Sequence, residues 1–205
     1  MKIGIIGAGT VGGHLGRALT AIGHDVFFSS REPQSEKMQS LLAQCHGRAN
    51  AGSWQQALDF GPIVAVALRW EVLPTVLTSL TGWEGKIVID TTNRFGGLDA
   101  SHPGGSSADL AAMLPQAQVV KAFNSIGAER YLDPQFGSQR AIMPYCGDDP
   151  QARQTVGQLI DQLGFEALDM GGLSAAPMLQ SLAQFWIALA YGSQGRDIAF
   201  ALLRR

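Results

Sequence analysis

The chain opens with a short apolar run followed by a glycine-rich turn, Ile3-Gly4-Ile5-Ile6-Gly7-Ala8-Gly9-Thr10-Val11-Gly12. The apolar run predicts a buried strand, and the apolar residues from Val11 to Ile22 recur at helical spacing. The turn therefore has the form G-x-G-x-x-G between a strand and a helix. In this context Gly7 permits the tight turn, Gly9 lets backbone N–H groups approach a diphosphate, and Gly12 allows close helix packing. The stretch predicts a dinucleotide-binding βαβ unit.

Strand-like and helical segments alternate through the rest of the chain. Further strands are predicted at residues 24–28, 62–68, 86–90, 119–123, 141–145 and 165–168, and helices at residues 35–44, 53–59, 71–80, from 106, 149–164 and 175–191. Such alternation predicts an α/β fold with a doubly wound, mostly parallel Rossmann-like sheet of up to eight strands and C-terminal helices. We expect one domain over residues 1–205, with residues 140–205 as a C-terminal extension.

Capping patterns mark three of these helix starts, at Ser53-x-x-Gln56, Ser106-x-x-Asp109 and Asp149-Pro150. In each, a side-chain oxygen is placed to accept a hydrogen bond from the first helical turn. The least regular stretch, residues 93–105, carries two glycine pairs and predicts a mobile loop that could act as a lid.

The composition excludes several classes of protein. Charged residues make up 16% of the 205-residue chain, the formal net charge is -2, and 25 residues are glycine. With no basic cluster longer than Arg204-Arg205, we expect no nucleic-acid partner. The apolar runs are shorter than the roughly 20 residues of a membrane helix, so we expect a soluble protein without a membrane partner. Glycine-rich sequence follows the apolar start at once, with no secretory cleavage site, so we expect a cytoplasmic protein.

The two cysteines, Cys45 and Cys146, form no C-x-x-C pair and no disulfide framework. We expect both to be small buried hydrophobic residues. Because the histidines lack clustered partners, we predict no metal site and no Ser-His-Asp arrangement.

The end of the second predicted strand decides which dinucleotide is bound. An acidic residue at this position would bind the ribose hydroxyls of NAD, but the chain has Ser29-Ser30-Arg31. A hydroxyl and a guanidinium suit a 2′-phosphate, which favours NADP(H) with Ser30 and Arg31 as its readers. Two alternatives stay open: Arg31 could be a solvated surface residue, and Glu32 could be the ribose acid.

Several segments together resemble the NADPH-dependent reductases of the deazaflavin coenzyme. They are the N-terminal strand and glycine turn, Ser30-Arg31, Trp70-Glu71, residues 85–93 ending in Asp90-Thr91-Thr92-Asn93, and residues 119–127 with Lys121-Ala122-Phe123-Asn124. The last two stretches stand at the carboxyl ends of predicted strands, where open α/β sheets bind ligands. The likeness spans nearly the whole chain.

This resemblance implies NADPH lying along the strand ends, with a second ring system stacked on the nicotinamide in a narrow cleft. The residues that it implies for cofactor binding are Gly7, Ala8, Gly9, Thr10, Val11, Gly12, Ser30, Arg31, Leu68, Arg69, Asn93 and Asn124. Within this set Leu68 and Arg69 would contact ribose, and the two asparagines would border the nicotinamide. Family members commonly have Val-Pro before the tryptophan where this chain has Leu68-Arg69, so Arg69 adds a cation at that corner.

Hydride transfer between a nicotinamide and a flavin-like ring depends mainly on positioning, so the resemblance identifies no catalytic residue. A carbonyl substrate would need a proton donor, for which Lys121, Tyr145 and His102 are candidates. A structural interpretation is favoured for each: Lys121 pairs with a carboxylate, Tyr145 is a rim residue, and His102 is solvated. Trp70 is the best placed tryptophan for a substrate platform.

The sequence leads to the hypothesis of an NADP(H)-dependent oxidoreductase that transfers hydride to a deazaflavin, a flavin or another small acceptor. The alternative is a non-catalytic NADP(H)-binding redox sensor or regulatory module. A third hypothesis is an imine or carbonyl reductase whose site is closed by a second subunit. For that arrangement, and for a possible homodimer, the apolar helix at residues 175–191 would form the interface. The alternative, which is favoured, is that this helix packs across the sheet as part of the core.

Overall fold

The computed structural model describes residues 1–94 and 105–205, and an eight-stranded sheet forms its centre. The strands of this sheet are β1 (Lys2–Ile6), β2 (Asp25–Ser29), β3 (Ala49–Gly52), β4 (Ile63–Val66), β5 (Ile87–Asp90), β6 (Gln118–Lys121), β9 (Ile142–Gly147) and β10 (Glu166–Asp169). A separate antiparallel pair consists of β7 (Gln135–Phe136) and β8 (Gln139–Arg140). The predicted α/β class is confirmed, and the eight strands of the main sheet agree with the predicted upper limit.

Seven α-helices connect and cover the strands in the described part of the chain. They are α1 (Thr10–Ala21), α2 (Glu36–Ala43), α3 (Trp54–Asp59), α4 (Leu73–Thr78), α5 (Gly105–Met113), α6 (Pro150–Gln162) and α7 (Ala176–Tyr191). Short 3-10 turns lie at Trp70–Val72, Ala128–Arg130 and Leu173–Ala175. Residues 95–104 of the predicted loop at 93–105, His102 among them, lie outside the described residues.

The spatial order of the strands is β10-β9-β6-β5-β4-β1-β2-β3. From β3 to β6 all neighbours are parallel, in the order 3-2-1-4-5-6 of a dinucleotide-binding sheet. The chain reverses its direction of travel across the sheet between β1 and β4. A crevice therefore opens at the carboxyl ends of these two strands, where such sheets bind their ligands.

Two strands depart from the parallel arrangement. β9 runs antiparallel to β6, with Lys121 paired to Cys146, and β10 runs parallel to β9. The sequence predicted a mostly parallel sheet without showing which strands would differ. The reason is that β6 is joined to β9 by the irregular segment and small hairpin at 122–141 instead of a crossover helix.

One strand of the main sheet was absent from the predicted segments. β3 has the sequence Ala-Asn-Ala-Gly, without a β-branched or aromatic residue, and forms the edge beside β2. Its local β propensity is low, so only pairing with β2 makes it a strand.

Two of the three predicted helix caps are present. Ser53 Oγ accepts from the Gln56 N–H at 3.2 Å while Gln56 Oε1 accepts from the Ser53 N–H at 2.9 Å, and the Asp149 carboxylate accepts from the Ala152 N–H. The cap predicted at Ser106 is wrong, because Ser106 lies inside α5. Its hydroxyl donates to Gln180 Oε1 at 3.2 Å, so a tertiary partner replaces the local one.

Apolar side chains are buried on both faces of the sheet. Helices α1, α2 and α6 contribute to the core on one face, and α3, α4, α5 and α7 contribute to the other. Cys45 belongs to the first core and Cys146 to the second, as free thiols with no exposed surface. Burial raises the pKa of the Cys45 thiol and raises that of Cys146 to about 11, so neither is a reactive thiolate at neutral pH.

The C-terminal helix α7 is only partly covered. Leu179, Ala183 and Trp186 are buried, whereas Met178 and Phe185 are 63% and 56% exposed. Among the described residues, the stretch Leu173–Tyr191 passes a length and composition test for a membrane-spanning helix. In this fold one side of α7 packs on α5 and β9.

Candidate functional site

The glycine turn places the N-terminus of α1 at the crevice. Gly7 has a φ of +106°, which residues with a side chain rarely adopt, and its N–H donates to the Ser29 hydroxyl at 2.9 Å. A Cβ on Gly9 would meet nothing within 4 Å, whereas one on Gly12 would lie 1.9 Å from the Gly7 carbonyl oxygen. Gly9 thus borders open space, and Gly12 is where the helix touches the turn.

The first turn of α1 is suited to an anion. Gly9 is its N-cap, and no side chain among the described residues caps the helix. Its first N–H groups therefore lack the partners that a capping hydroxyl or carboxylate would supply. Free N–H donors and the helix dipole together favour a bound phosphate at this point.

A pocket of about 1050 Å³, here called the first pocket, extends from the turn past the end of β2. Its lining includes four cationic side chains and one carboxylate, namely Arg17, Arg31, Lys37, Arg69 and Glu32. This local excess of positive charge contrasts with the net charge of -2 of the whole chain. The first pocket is thus matched to a phosphate-bearing ligand.

The polar residues at the end of β2 have different positions and contacts. Ser29 is buried and accepts the hydrogen bond from Gly7, so it holds the turn against β2. Ser30 accepts from the Glu32 N–H at 3.0 Å and lines the first pocket together with Arg31 and Glu32. Arg31 and Glu32 are both exposed at the pocket, so each is accessible to a ligand there.

A second pocket of about 640 Å³ continues from the first. The two share part of their lining, including Gly9, Thr10, Leu68 and Arg69, so they form one elongated cleft. The second pocket runs over the carboxyl ends of β5 and β6, and its remaining lining includes Val11, Trp70, Glu71, Asn93, Phe123, Asn124, Tyr131, Trp186, Ile187, Tyr191 and Arg196. α7 thus forms a wall of this pocket and does not fill it.

Asn93 and Asn124 meet at the floor of the second pocket. Asn93 Nδ2 donates to the Asn124 carbonyl at 3.2 Å, and Asn124 Nδ2 donates to Asn93 Oδ1 at 3.0 Å and to the Leu179 carbonyl at 3.1 Å. Asn124 is 7% exposed, and its Oδ1 has no partner among the described residues. A buried amide oxygen without a donor is costly, so a ligand N–H would be a favourable partner.

A fully buried ion pair supports this floor. Lys121 and Asp90 face each other in adjacent strands, with Nζ 3.4 Å from Oδ2 and both side chains 0% exposed. Lys121 Nζ also donates to the Thr92 carbonyl at 2.7 Å, and Asp90 Oδ1 accepts from the Thr92 N–H and hydroxyl. The pair therefore fixes the turn that presents Asn93.

The backbone at the end of β6 is strained. Phe123 has a φ of +59°, a left-handed conformation that is rare for an aromatic residue. The buried Tyr131 hydroxyl donates to the Phe123 carbonyl, and the two rings pack edge to face at 5.7 Å. Tyr131 thus stabilises the conformation from which Asn124 reaches the pocket.

The described candidates for a proton donor have structural surroundings. Lys121 is paired with Asp90 as the structural interpretation held. Tyr145 is 7% exposed and packs on Gly157 of α6 instead of lining the cleft, which corrects its interpretation as a rim residue. Burial raises the pKa of its hydroxyl. Within the described ranges, no group of three metal-ligating side chains comes together.

The expected cofactor-binding residues lie along this cleft with one exception. Gly7, Ala8, Gly9, Thr10, Val11, Ser30, Arg31, Leu68, Arg69, Asn93 and Asn124 line one pocket or both, and Gly12 lies beneath the turn. Trp70 lines the second pocket under the Arg94 guanidinium, while Trp83 is in the core.

The lining residues that the sequence reasoning missed include two groups. His14 and Arg17 lie in the first pocket, one turn apart on α1, and their helical spacing from the glycine turn was a usable signal. Trp186, Tyr191 and Arg196 lie in the second pocket, and nothing local in the sequence relates them to the strand ends.

Comparison with known proteins agrees with this geometry. Residues 2–94, a little under half of the chain, match the family model described as NADP oxidoreductase coenzyme F420-dependent. The resemblance seen in the sequence is thus confirmed over this part, which contains the glycine turn, Ser30-Arg31 and Asn93. The family name agrees with the expected enzyme class and with the expected cofactor.

Curated relatives match over most of this chain. Metalloreductase STEAP2 of Mus musculus is 30% identical over 185 residues, covering 89% of this chain and 36% of the relative. Metalloreductase STEAP3 of Rattus norvegicus is 28% identical over 183 residues, with 88% and 36% covered. The chain therefore spans about a third of the length of these relatives.

Solved structures share the fold. A protein from Arthrobacter sp. FB24, provisionally described as an F420-dependent NADP reductase, superposes with a TM-score of 0.87 at 24% identity over the whole of both chains. A reductive aminase from Aspergillus terreus in complex with NADPH and ethyl-5-oxohexanoate superposes with a TM-score of 0.69 at 16% identity, over 93% of this chain and 61% of its own. At these identities the likeness establishes the Rossmann-like fold.

Proposed function

From an N-terminal part that carries the signature of the NADP oxidoreductase coenzyme F420-dependent family, we propose that this chain is an NADP(H)-dependent oxidoreductase. It transfers hydride between the nicotinamide and a small acceptor such as a deazaflavin or a flavin. The observation that carries the proposal is the continuous cleft, which leads from the glycine turn to an open pocket over Asn93 and Asn124.

The residues of the cleft fit the parts of NADP(H) in order. The uncapped first turn of α1 with Gly9 and Thr10 receives the diphosphate, and the cationic first pocket with Ser30 and Arg31 receives the 2′-phosphate. Leu68 and Arg69 border the ribose next to the nicotinamide, at the junction of the two pockets. Asn93 and Asn124, which line the second pocket, would hold the nicotinamide end of the cofactor.

The nicotinamide supplies the hydride when the cofactor is bound. The protein contributes position: Asn93 and Asn124 orient one ring, and the aromatic lining of the second pocket orients and shields the other. No ionisable group is required to donate a proton in this step. The same pocket leaves room for a small organic acceptor, as its volume of about 640 Å³ indicates.

An acceptor screen tests the proposed function. Steady oxidation of NADPH, followed by the loss of its absorbance, is expected with at least one of a deazaflavin, a flavin, a quinone and a carbonyl compound. Tight NADPH binding without oxidation by any of them would contradict catalysis and favour the redox-sensor alternative. The fluorescence of bound NADPH measures binding separately, so the two outcomes are distinguishable.

Replacing Arg31 by alanine is expected to lower the preference for NADPH over NADH. A charge-assisted hydrogen bond contributes about 1.5–3 kcal/mol, so the affinity ratio should fall about 10- to 100-fold. The affinities of both nucleotides for the wild type and the variant provide the measurement. Glu32→Gln is the matched control. If Glu32→Gln weakens NADH binding while Arg31→Ala leaves the affinity ratio unchanged, Glu32 is the ribose ligand.

The assembly and location of the protein stay predictions. We propose a single-domain cytoplasmic protein that has no nucleic-acid or membrane partner and forms a homodimer through its C-terminal helices. The exposed apolar side chains of α7, Met178 and Phe185 among them, favour such a contact. β9 and β10 of residues 140–205 extend the same sheet as the N-terminal strands, which supports the single domain.

A further inference from the structure

The second pocket has a wall that is built by the C-terminal part of the chain. Trp186 and Tyr191 of α7 line it together with Arg196, which follows the helix. The Arg196 guanidinium lies 5.5 Å from the Trp186 ring centre and 5.1 Å from that of Tyr191, and it also donates to the Tyr191 hydroxyl. A cation is thus placed among the aromatic rings of the proposed acceptor site.

Glu129 neutralises this cation from another part of the fold. It belongs to the 3-10 turn Ala128–Arg130 after β6, and it binds Arg196 through two hydrogen bonds, Nε to Oε1 at 2.7 Å and Nη2 to Oε2 at 2.9 Å. These hydrogen bonds lower the pKa of the Glu129 carboxyl, so it is ionised at neutral pH. The pair presents a guanidinium whose charge is already compensated.

A neighbouring ion pair joins the same two segments without lining the pocket. Arg130 Nε lies 3.0 Å from Asp197 Oδ1. Arg130 directly follows Glu129 in the chain and Asp197 directly follows Arg196, so in this second pair each segment carries the opposite charge. Neither Arg130 nor Asp197 belongs to the lining of the second pocket. The two pairs therefore separate two effects, since both tie the C-terminal segment down but only Glu129 controls a charge inside the pocket.

We propose that Glu129 is a specificity-determining residue of the acceptor site. By neutralising Arg196, it makes the site favour a ring acceptor that has no anionic group near this guanidinium. An uncompensated guanidinium binds phosphate and carboxylate oxygens through two parallel hydrogen bonds, and Glu129 occupies those donors. Among the residues that the structure describes, the other charged residues lining the second pocket are Arg69 and Glu71, which carry opposite charges. This inference rests on the proposed function, because it takes the second pocket as the place of the acceptor.

Two flavins that share one ring test the inference. Lumiflavin is uncharged, and FMN carries a phosphate on its side chain. Their dissociation constants are measured by flavin fluorescence with the protein saturated with NADP⁺. Glu129→Gln keeps the size of the side chain but removes its charge. This variant is expected to tighten FMN binding about 5- to 10-fold, because Arg196 can then form a charge pair with the FMN phosphate. The dissociation constant of lumiflavin should change less than about twofold.

The matched control is Asp197→Asn, which frees Arg130 outside the pocket and should leave both dissociation constants unchanged. Adding Arg196→Gln to Glu129→Gln should abolish the gain for FMN. An unchanged FMN-to-lumiflavin ratio in Glu129→Gln, an equal shift in Asp197→Asn, or no binding of either flavin overturns the inference. Thermal unfolding of each variant verifies that it is folded.

The results that would contradict the proposed function differ from those that would overturn the role of Glu129. It is contradicted when NADPH does not bind or is not oxidised by any acceptor in the screen. Oxidation of NADPH by the wild type together with a constant flavin ratio in Glu129→Gln overturns the role of Glu129 alone.

Discussion

Replacing Gly12 by alanine is expected to weaken cofactor binding strongly and to destabilise the protein. The new Cβ would lie 1.9 Å from the Gly7 carbonyl oxygen and 3.0 Å from Ile5 Cγ2. The first contact is with backbone, so α1 must move away from the turn and take its N-terminal N–H groups with it. Overpacking of this kind costs about 1–3 kcal/mol, and the NADPH affinity should fall at least about 100-fold.

Two neighbouring glycines separate the effects on folding and binding. Gly9→Ala meets no protein atom within 4 Å and Gly9 has a φ of -76°, so it should change stability by less than about 0.5 kcal/mol. Its methyl group would project into the cleft, and NADPH affinity should fall about 10- to 100-fold, since a diphosphate loses its close approach to the backbone.

Gly13→Ala provides the control for folding. Its Cβ would make an ordinary contact with Leu41 at 3.6 Å, and alanine favours a helix, so stability should stay unchanged or rise by up to about 1 kcal/mol. Urea unfolding and NADPH fluorescence titration measure the two quantities for all three variants. Wild-type affinity in both Gly9→Ala and Gly12→Ala would contradict the proposed place of the diphosphate.

Replacing Lys121 by methionine is expected to cost about 3–5 kcal/mol of stability, the second large effect. Methionine fills most of the space of the lysine but leaves the Asp90 carboxylate buried at 0% exposure with no cation. The Thr92 carbonyl also loses its donor at 2.7 Å. For a chain of this size the thermal midpoint should fall by roughly 10 °C, which calorimetry or circular dichroism measures.

Two further variants identify the cause of that loss. Asp90→Leu combined with Lys121→Met removes both charges and should recover part of the stability, because no unpaired charge stays buried. Lys2→Met removes an exposed lysine over the Phe60 ring and should cost no more than about 1 kcal/mol. A loss in Lys121→Met as small as that in Lys2→Met would mean that the ion pair contributes little.

Much of the site could be predicted because its signals are local. The glycine turn, the strand before it and the helix after it follow one another directly, and each has its own pattern. The same holds for the Ser53 capping box. The sequence predicted that Lys121 pairs with a carboxylate but did not identify which one. Asp90 is 31 residues away and becomes its neighbour only through the register of β5 and β6.

The wrong and missing predictions share a cause. Ser106 has the pattern of a cap, but its hydroxyl finds a partner on α7. β3 has no strand-forming residue and is a strand because β2 lies beside it. In both cases a contact distant in sequence outweighs a local preference, which is worth about 1 kcal/mol or less per residue.

By itself the sequence determined the α/β class, the dinucleotide-binding turn and the polar residues that end each strand, because these depend on the spacing of neighbouring residues. The tertiary structure decided how the cleft is closed. Asn93 and Asn124 meet because β5 and β6 are adjacent. Arg196 follows α7, which packs on α5 and β9, and it reaches Glu129, 67 residues away. Contacts of this kind follow from strand order and helix packing, which local patterns do not specify.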